Sequence, residues 1–201
     1  MIREKKAPVL TESQFRQAVA VARTHDLAAR NVALLYFSTA LGLRAKEMSQ
    51  LLVGDVLMAD GAIKDEVLLT RATTKGRKQR LVYLTNRDVR KALTAYLDER
   101  RQTEAIALHP LTPLFKSRKG GAFTPNTMQM LFKRMYCWAG LDQASSHSGR
   151  RTFATSLIEK GVDIKAVSVL MGHASVSTTA VYVEDNPLRL KRICQEVGIG
   201  V

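Results

Sequence analysis

The sequence predicts an α+β fold that is mainly α-helical and contains one small three-stranded antiparallel sheet. Apolar residues recur at helical spacing along most of the 201-residue chain, whereas short runs with high strand propensity occur only between residues 55 and 84. Hydrophobic residues make up 46% of the chain, which is enough for a folded core. We expect a basic lead-in at residues 1–10, one domain at residues 11–185 and a C-terminal tail at residues 186–201.

Three helices are predicted near the start of the chain, over residues 11–23, 27–41 and 45–51. Thr11-Glu-Ser-Gln14 has the pattern of a capping box, which marks the start of the first helix. The second helix is mostly apolar and is predicted to be buried. Gly42 is expected to end it, so that Arg44 lies just beyond its C-terminus.

The sheet is predicted from strands at residues 55–58, 66–70 and 80–84. Asp60-Gly61 is a turn signal between the first two strands. Residues 73–78 are rich in lysine and arginine and are expected to form a basic hairpin tip between the last two strands.

Five further helices are predicted over residues 86–101, 124–140, 147–160, 163–170 and 177–182. Asn86 and Thr124-Pro125 are typical of helix starts. Helical spacing divides the helix at 124–140 into two faces. The residues expected in the core are Met128, Leu131, Phe132, Met135 and Cys137, and those expected to face outward are Gln129, Lys133 and Tyr136.

The chain is strongly basic, with a formal net charge of +13 and a pI near 10.1. Such a charge favours a polyanionic partner, most often nucleic acid, although a solvated basic surface, ribosomal binding or an anionic membrane would also fit the charge alone. The chain begins without the apolar stretch of a signal peptide, and no apolar run approaches the ~18 residues of a membrane span. The two cysteines form neither a disulfide framework nor a metal motif. We therefore expect a cytoplasmic protein with no membrane partner.

Arg44 and Arg150 are the first candidates for chemistry. Two guanidinium groups can hold one phosphate and spread its charge. A phosphodiester needs this because its transition state gains negative charge on the nonbridging oxygens. His147 lies three residues before Arg150 and therefore shares its helix face, although an isolated pair of this kind is more often an ordinary surface pair.

The predicted hairpin tip offers a general acid. Lys75 could protonate a leaving oxygen, and Lys78 competes with it on spacing alone. Together with Arg77 and Arg80, these lysines could equally form a solvated basic turn that contacts the DNA backbone.

His173 and Tyr182 complete the set. A histidine after Leu-Met-Gly could simply cap a helix C-terminus. A tyrosine hydroxyl has a pKa near ~10 and becomes a useful nucleophile only with a base or cations beside it. The clustered arginines and histidines could provide both.

The ordered set Arg44, Lys75, His147, Arg150, His173 and Tyr182 resembles the catalytic domain of the tyrosine recombinases, the integrase family. The resemblance extends to local motifs and covers residues 10–183. The motifs are Gly42-Leu-Arg-Ala-Lys-Glu47, Thr74-Lys-Gly-Arg-Lys-Gln-Arg-Leu-Val, Leu170-Met-Gly-His and Ser177-Thr-Thr-Ala-Val-Tyr182.

The resemblance implies a site-specific recombinase that cleaves and rejoins DNA in integration, excision or inversion. Tyr182 would form a 3′-phosphotyrosyl link, His147 would accept its proton, and Lys75 would be the general acid. No cofactor is implied, because the covalent link conserves the bond energy and neither ATP nor a metal is needed for rejoining.

The resemblance also implies how the phosphate is held. Arg44 and Arg150 would clamp the scissile phosphate, and His173 would form a hydrogen bond with it. Glu47 would orient the site. Gly149 and Arg151 stand where the family often has leucine and histidine, so we expect altered packing there rather than lost chemistry.

Most family members carry a further N-terminal helical domain, which we expect to be absent here. The chain therefore resembles short members such as the fimbrial phase-variation invertases, or a fragment of a longer integrase. The implied partner is double-stranded DNA, with a homotetramer on DNA and a monomer or weak oligomer when free. An apolar stripe in the tail could pack on a neighbouring subunit or fold back on its own domain; its residues are Leu190, Ile193 and Val197.

In the family, the helix corresponding to residues 124–140 lies near DNA. The resemblance thus suggests Gln129, Lys133 and Arg134 as DNA contacts, although they could equally form an ordinary exposed helix face. Two other functions stay open at this point. The same fold could serve a non-catalytic DNA-binding regulator, or a type IB-like topoisomerase that shares the chemistry.

Overall fold

The computed structural model describes residues 6–69, 79–104, 108–184 and 194–195. Within these ranges the chain is mainly helical and has one small antiparallel sheet, as predicted. The elements are α1 (Glu12–Ala22), α2 (Ala28–Ala40), α3 (Ala45–Gln50), α4 (Val53–Val56), β1 (Glu66–Leu69), β2 (Arg80–Tyr83), α5 (Arg87–Thr103), α6 (Pro125–Trp138), α7 (Ser148–Glu159), α8 (Ile164–Met171) and α9 (Ser177–Glu184). No helix in the part of the chain described here is long and apolar enough to cross a membrane.

Helix α2 lies at the centre of the fold, packed against α5 on one side and α7 on another. Its mostly apolar sequence explains this central position, and the prediction that the helix is buried is confirmed. A second, smaller apolar cluster joins α7 to α8 and is formed by Ala154, Ile158, Val167 and Met171. Because this cluster holds α7 and α8 together, it also fixes the residues that follow α8.

The predicted helix starts are confirmed by their caps. The Thr11 hydroxyl accepts a hydrogen bond from the Gln14 backbone N–H at 3.2 Å, and the Gln14 side chain accepts one from the Thr11 N–H at 2.9 Å. The Asn86 side chain caps α5 by accepting hydrogen bonds from the backbone N–H groups of Asp88 and Val89, at 3.0 and 3.1 Å. Such bonds satisfy N–H groups that a helix leaves without partners.

Among the described residues the sheet has two strands where three were predicted, with Glu66 opposite Tyr83 and Leu69 opposite Arg80. The strand predicted at residues 55–58 is wrong, because Val53–Val56 forms the helical turn α4. The Asp55 carboxylate accepts a hydrogen bond from the Leu52 backbone N–H at 2.8 Å, which favours the turn over an extended chain. The predicted tip at residues 73–78 lies outside the described residues.

Two predictions for α6 are also wrong. Tyr136 is fully buried and Cys137 is exposed. Position 136 follows Met128 and Phe132 at intervals of four residues, so it lies on the same face as these two buried side chains. Position 137 falls on the opposite, exposed face.

Gly149 lies at a close contact between α7 and α2. Helix α7 approaches α2 so closely here that a Cβ atom at Gly149 would overlap the Ser38 hydroxyl oxygen and lie 2.8 Å from the Thr39 hydroxyl oxygen. A leucine could not fit without moving one helix. The close approach of α7 to α2 therefore depends on a glycine at this position.

We predict that Gly149→Ala destabilises the protein by about 1–3 kcal/mol, because the added methyl overpacks this contact. An ordinary helical glycine would instead gain stability on replacement by alanine. The measurement is urea unfolding followed by circular dichroism. Gly121→Ala is the control, since a Cβ atom there meets nothing within 4 Å. A Gly149→Ala protein as stable as wild type would contradict the close contact.

Candidate active site

Arg44 is fixed at the junction of α2 and α3 by a single carboxylate. Its backbone N–H donates to Glu47 Oε2 at 2.8 Å, and its guanidinium Nη1 donates to Glu47 Oε1 at 2.7 Å. The Arg44 side chain is 21% exposed, whereas that of Glu47 is fully buried. Glu47 therefore binds Arg44 on the buried side of its guanidinium and leaves part of that group exposed to solvent.

The same carboxylate binds a second arginine. Arg80 Nη2 donates to Glu47 Oε2 at 2.8 Å, and the Arg80 side chain is only 5% exposed. Burial alone would raise the pKa of Glu47, but Arg80, the Arg44 backbone N–H, Arg150 and Arg44 together lower it below its usual value. Glu47 is therefore a charged carboxylate shared by two cations.

The C-terminal end of α8 collects three arginines. Three successive backbone carbonyls each accept a hydrogen bond from a different guanidinium. The pairs are Leu170 with Arg80 Nη1 at 2.6 Å, Met171 with Arg150 Nη2, and Gly172 with Arg44 Nη2 at 3.4 Å. The last carbonyls of a helix lack partners within it and carry partial negative charge, so they suit cations.

Arg150 is the most deeply placed member of the predicted phosphate clamp. It extends from α7, is 5% exposed, and donates to the Gly42 carbonyl as well as to that of Met171. Burial and the nearby charge of Arg44 lower the pKa of Arg150 below its ordinary value. An arginine nevertheless stays protonated near neutral pH.

His173 follows a left-handed glycine that ends α8. Gly172 has φ +59°, which turns the chain so that the histidine comes directly after the three carbonyls. His173 Nδ1 lies 2.8 Å from the Thr179 hydroxyl oxygen. Burial, followed by Arg150, Arg44 and Arg80, lowers the pKa of His173 to about 4. The imidazole is therefore neutral at neutral pH although cations surround it.

Tyr182 of α9 lies against His173. The two rings are stacked, with centroids 6.1 Å apart and planes 13° from parallel. On the same tyrosine ring, the Arg151 guanidinium lies 5.8 Å from the centroid. Tyr182 also packs on the small apolar cluster of α7 and α8, which positions it relative to Arg150 on the neighbouring helix.

His147 is exposed and occupies the N-cap position of α7, one turn before Arg150. The structure thus brings Arg44, Glu47, Arg150, His173 and Tyr182 to one place, with His147 at the start of the same helix as Arg150. Lys75, Arg77 and Lys78 lie outside the described residues, and their assignments stay predictions.

The residues suggested as DNA contacts on α6 are all exposed: Gln129, Lys133 and Arg134. Lys133 Nζ donates to the backbone carbonyls of Asp142 and, at 3.5 Å, Ala144. Arg134 lines a cavity of about 710 Å³ between α6 and the segment at residues 24–31. None of the catalytic candidates that the structure describes lines this cavity, so it is separate from the cluster of Arg44, Arg80 and Arg150.

Arg80 is placed differently from its prediction as a contact to the DNA backbone. It points into the protein and joins Glu47 to α8. Residues 81–84 are all apolar, so no alternation in the sequence marks the inner face of this strand. In the structure, Arg80 lies on the same face as the buried Val82 and Leu84. Thr179, the partner of His173, was not singled out as a site residue, although it lies within the motif at residues 177–182.

Comparison with known proteins agrees with this geometry. Residues 8–189 match the Phage integrase family, and the chain belongs to that family. Tyrosine recombinase XerC of Mesorhizobium japonicum is 35% identical over 189 residues, which cover 92% of this chain and 57% of the relative. In general, the chain spans between 50% and 64% of the length of the first curated relatives that it matches.

Solved structures of recombinases have the same fold. The XerA recombinase superposes with a TM-score of 0.75 and 26% identity, over 98% of this chain and 66% of that one. The XerH site-specific recombinase, in a post-cleavage complex with a palindromic difH substrate, superposes with a TM-score of 0.71 and 26% identity. This match covers 96% of the present chain and 54% of XerH.

We predict that Glu47→Gln lowers the free energy of unfolding at pH 7 by about 3 kcal/mol, because it leaves buried arginines without their anion. The folded-state pKa of Glu47 lies below its unfolded value, so its contribution is complete above the unfolded pKa of about 4.3 and is lost as pH falls further. Urea unfolding at pH 7, 5, 4 and 3 should therefore show the deficit shrinking below about pH 4. The control is Glu12→Gln, which removes an exposed pair with Arg16 and should change little at any pH. A deficit that is the same at every pH would contradict the shared charge.

We further predict that the His173 imidazole does not titrate between pH 8 and about pH 5. Its folded-state pKa near 4 lies below the unfolded value, so protons bind preferentially to the unfolded chain in this range. The measurement is the carbon-bound proton shift of the ring by NMR, assigned by its loss in His173→Gln. A midpoint above pH 6 would contradict the combined effect of burial and the surrounding arginines on the pKa of this ring.

Proposed function

We propose that this protein is a site-specific DNA recombinase that cleaves and rejoins DNA through a 3′-phosphotyrosyl intermediate. The observation that supports this most directly is Tyr182 stacked on a neutral His173, beside the cluster of Arg44 and Arg150. A nucleophile, a hydrogen-bonding imidazole and two guanidinium groups form the set that a phosphodiester requires. Residues 11–185 would be the catalytic domain.

In the proposed cleavage step, the Tyr182 hydroxyl oxygen attacks the scissile phosphorus and the bond to the 5′-oxygen breaks. His147 takes the tyrosine proton, and Lys75 gives a proton to the leaving 5′-oxygen; both roles come from the family resemblance. The tyrosine–phosphorus bond replaces the broken one. Attack by a 5′-hydroxyl reverses the step, so rejoining needs neither ATP nor a metal.

The arginine cluster supports this chemistry electrostatically. Arg44, Arg80 and Arg150 surround one carboxylate, that of Glu47, so the cluster has two positive charges in excess. The neutral His173 leaves this excess unchanged, and the excess is available to the nonbridging oxygens of a phosphate. Fixed charge of this type stabilises the transition state without reorganising.

Double-stranded DNA is the proposed partner. The net charge of +13 suits a polyanion, and XerH of similar fold is bound to a DNA substrate. By analogy with the family, four copies would act on two duplexes, with the segment at residues 186–201 packing on a neighbour, and free copies would be monomeric or weakly associated. DNA as substrate favours a cytoplasmic protein that acts in integration, excision or inversion.

The test is a denaturing-gel assay for covalent protein–DNA adducts on nicked duplexes drawn from the DNA flanking the gene. We expect wild type to form an adduct and Tyr182→Phe to form none while still retarding DNA on a native gel, because only the nucleophilic oxygen is removed. An adduct with Tyr182→Phe would disprove the assignment of the nucleophile. Retardation of DNA without any wild-type adduct would favour a binding-only regulator. Relaxation of a plasmid lacking any specific site would favour a topoisomerase.

A further inference from the structure

We propose that Arg80 is a positioning residue for the phosphate clamp, which joins Glu47 to the end of α8 so that Arg44 and Arg150 face one phosphate. This inference rests on the proposed function. Arg80 does not itself reach the substrate, because its side chain is 5% exposed and its Nη atoms bind protein groups.

The first argument is connectivity. Arg80 donates from Nη2 to Glu47 and from Nη1 to the Leu170 carbonyl, at 2.8 Å and 2.6 Å. Glu47 holds Arg44, while the carbonyl after Leu170 accepts from Arg150. The Arg80 guanidinium therefore connects Glu47, which holds Arg44, to the end of α8, which holds Arg150. A planar guanidinium suits this double contact, since its N–H donors point in fixed directions.

The second argument is charge. Glu47 is a fully buried carboxylate whose charge is divided between Arg44 and Arg80. Without Arg80, the carboxylate would pair with Arg44 alone and neutralise more of the guanidinium that must meet the phosphate. The cluster would also lose one of its two excess positive charges.

The third argument is the space reserved for Arg80. The side chain passes directly over Gly172, where a Cβ atom would overlap Arg80 Cδ and lie 3.0 Å from Nε. Gly172 also has φ +59°, which L side chains rarely adopt. Gly172 thus serves both to end α8 and to leave room for the Arg80 side chain.

The test compares cleavage of two substrates by wild type and Arg80→Met. One is the ordinary nicked duplex, and the other has a methyl group in place of one nonbridging oxygen of the scissile phosphate, which makes it uncharged. We expect Arg80→Met to slow adduct formation on the ordinary duplex by about 100-fold, the scale of a misplaced or missing donor. On the uncharged substrate we expect a loss several-fold smaller, because it needs the arginine clamp less. DNA affinity should stay near that of wild type.

Arg100→Met is the matched control. Arg100 is equally buried, pairs with Glu104 and donates to the carbonyls of Pro113 and Leu114, but it lies on α5 away from the cluster. Its loss should reduce stability while leaving the ratio of the two cleavage rates unchanged. If Arg80 were only structural, Arg80→Met would likewise slow both substrates equally, and the proposal would be overturned.

A second variant guards against failure to fold. Arg80→Lys keeps a cation beside Glu47 but has one nitrogen where arginine has a fork, so it cannot keep both bonds in their directions. We expect it to restore thermal stability more fully than it restores cleavage of the charged substrate. Recovery of stability together with wild-type cleavage would overturn the role of the fork.

A crystal structure of Arg80→Met without DNA separates this inference from the proposed function. We expect both Glu47 oxygens to contact the Arg44 guanidinium and the contact between Arg44 and the Gly172 carbonyl to be lost. An unchanged Arg44 would overturn the inference, whether or not the protein cleaves DNA. Conversely, absence of any wild-type adduct would count against the proposed function while the displaced Arg44 would still support the positioning role.

Discussion

The site depends on one buried carboxylate. Glu47 has no solvent contact, and an ionised carboxylate in that position is stable only with cations and hydrogen bonds around it. Its partners come from two distant segments, the junction of α2 with α3 and the start of β2. The need to compensate one charge therefore joins two segments that are distant in the sequence, and it places Arg44 at the surface of the cluster.

The end of α8 supplies the complementary constraint. Every helix leaves its last carbonyls without internal partners, and here arginines from three elements satisfy three of them. The hydrogen bonds that complete the fold are thus the same bonds that arrange the candidate site. The left-handed turn at Gly172 then directs His173 toward Thr179 and Tyr182, so the neutral imidazole and the tyrosine are placed by the same helix end.

Local sequence signals predicted most of the helices because their caps and apolar spacing act over a few residues, as at Thr11 and Asn86. The strand at residues 55–58 was wrong since the bond from the Leu52 N–H to Asp55 outweighs strand propensity there. In the site, side-chain chemistry and family order identified Arg44, Arg150, His173 and Tyr182 as candidates. The interior position of Arg80 was not predicted, because residues 81–84 are all apolar and show no alternation that marks one face. Its carbonyl partner was not predicted either, because backbone carbonyls have no identity in a sequence.

An excess of positive charge has a consequence for the free protein. Arg150 is 5% exposed and close to Arg44 and Arg80, so mutual repulsion opposes the folded state, and one carboxylate only partly offsets it. A protein optimised for stability alone would contain a second anion at this place. A phosphate would supply that anion on binding, which relieves the repulsion and favours the bound state. In the proposed function, the same imbalance that costs stability in the free chain would favour binding of a phosphodiester, and the neutral state of His173 keeps the imbalance from growing further.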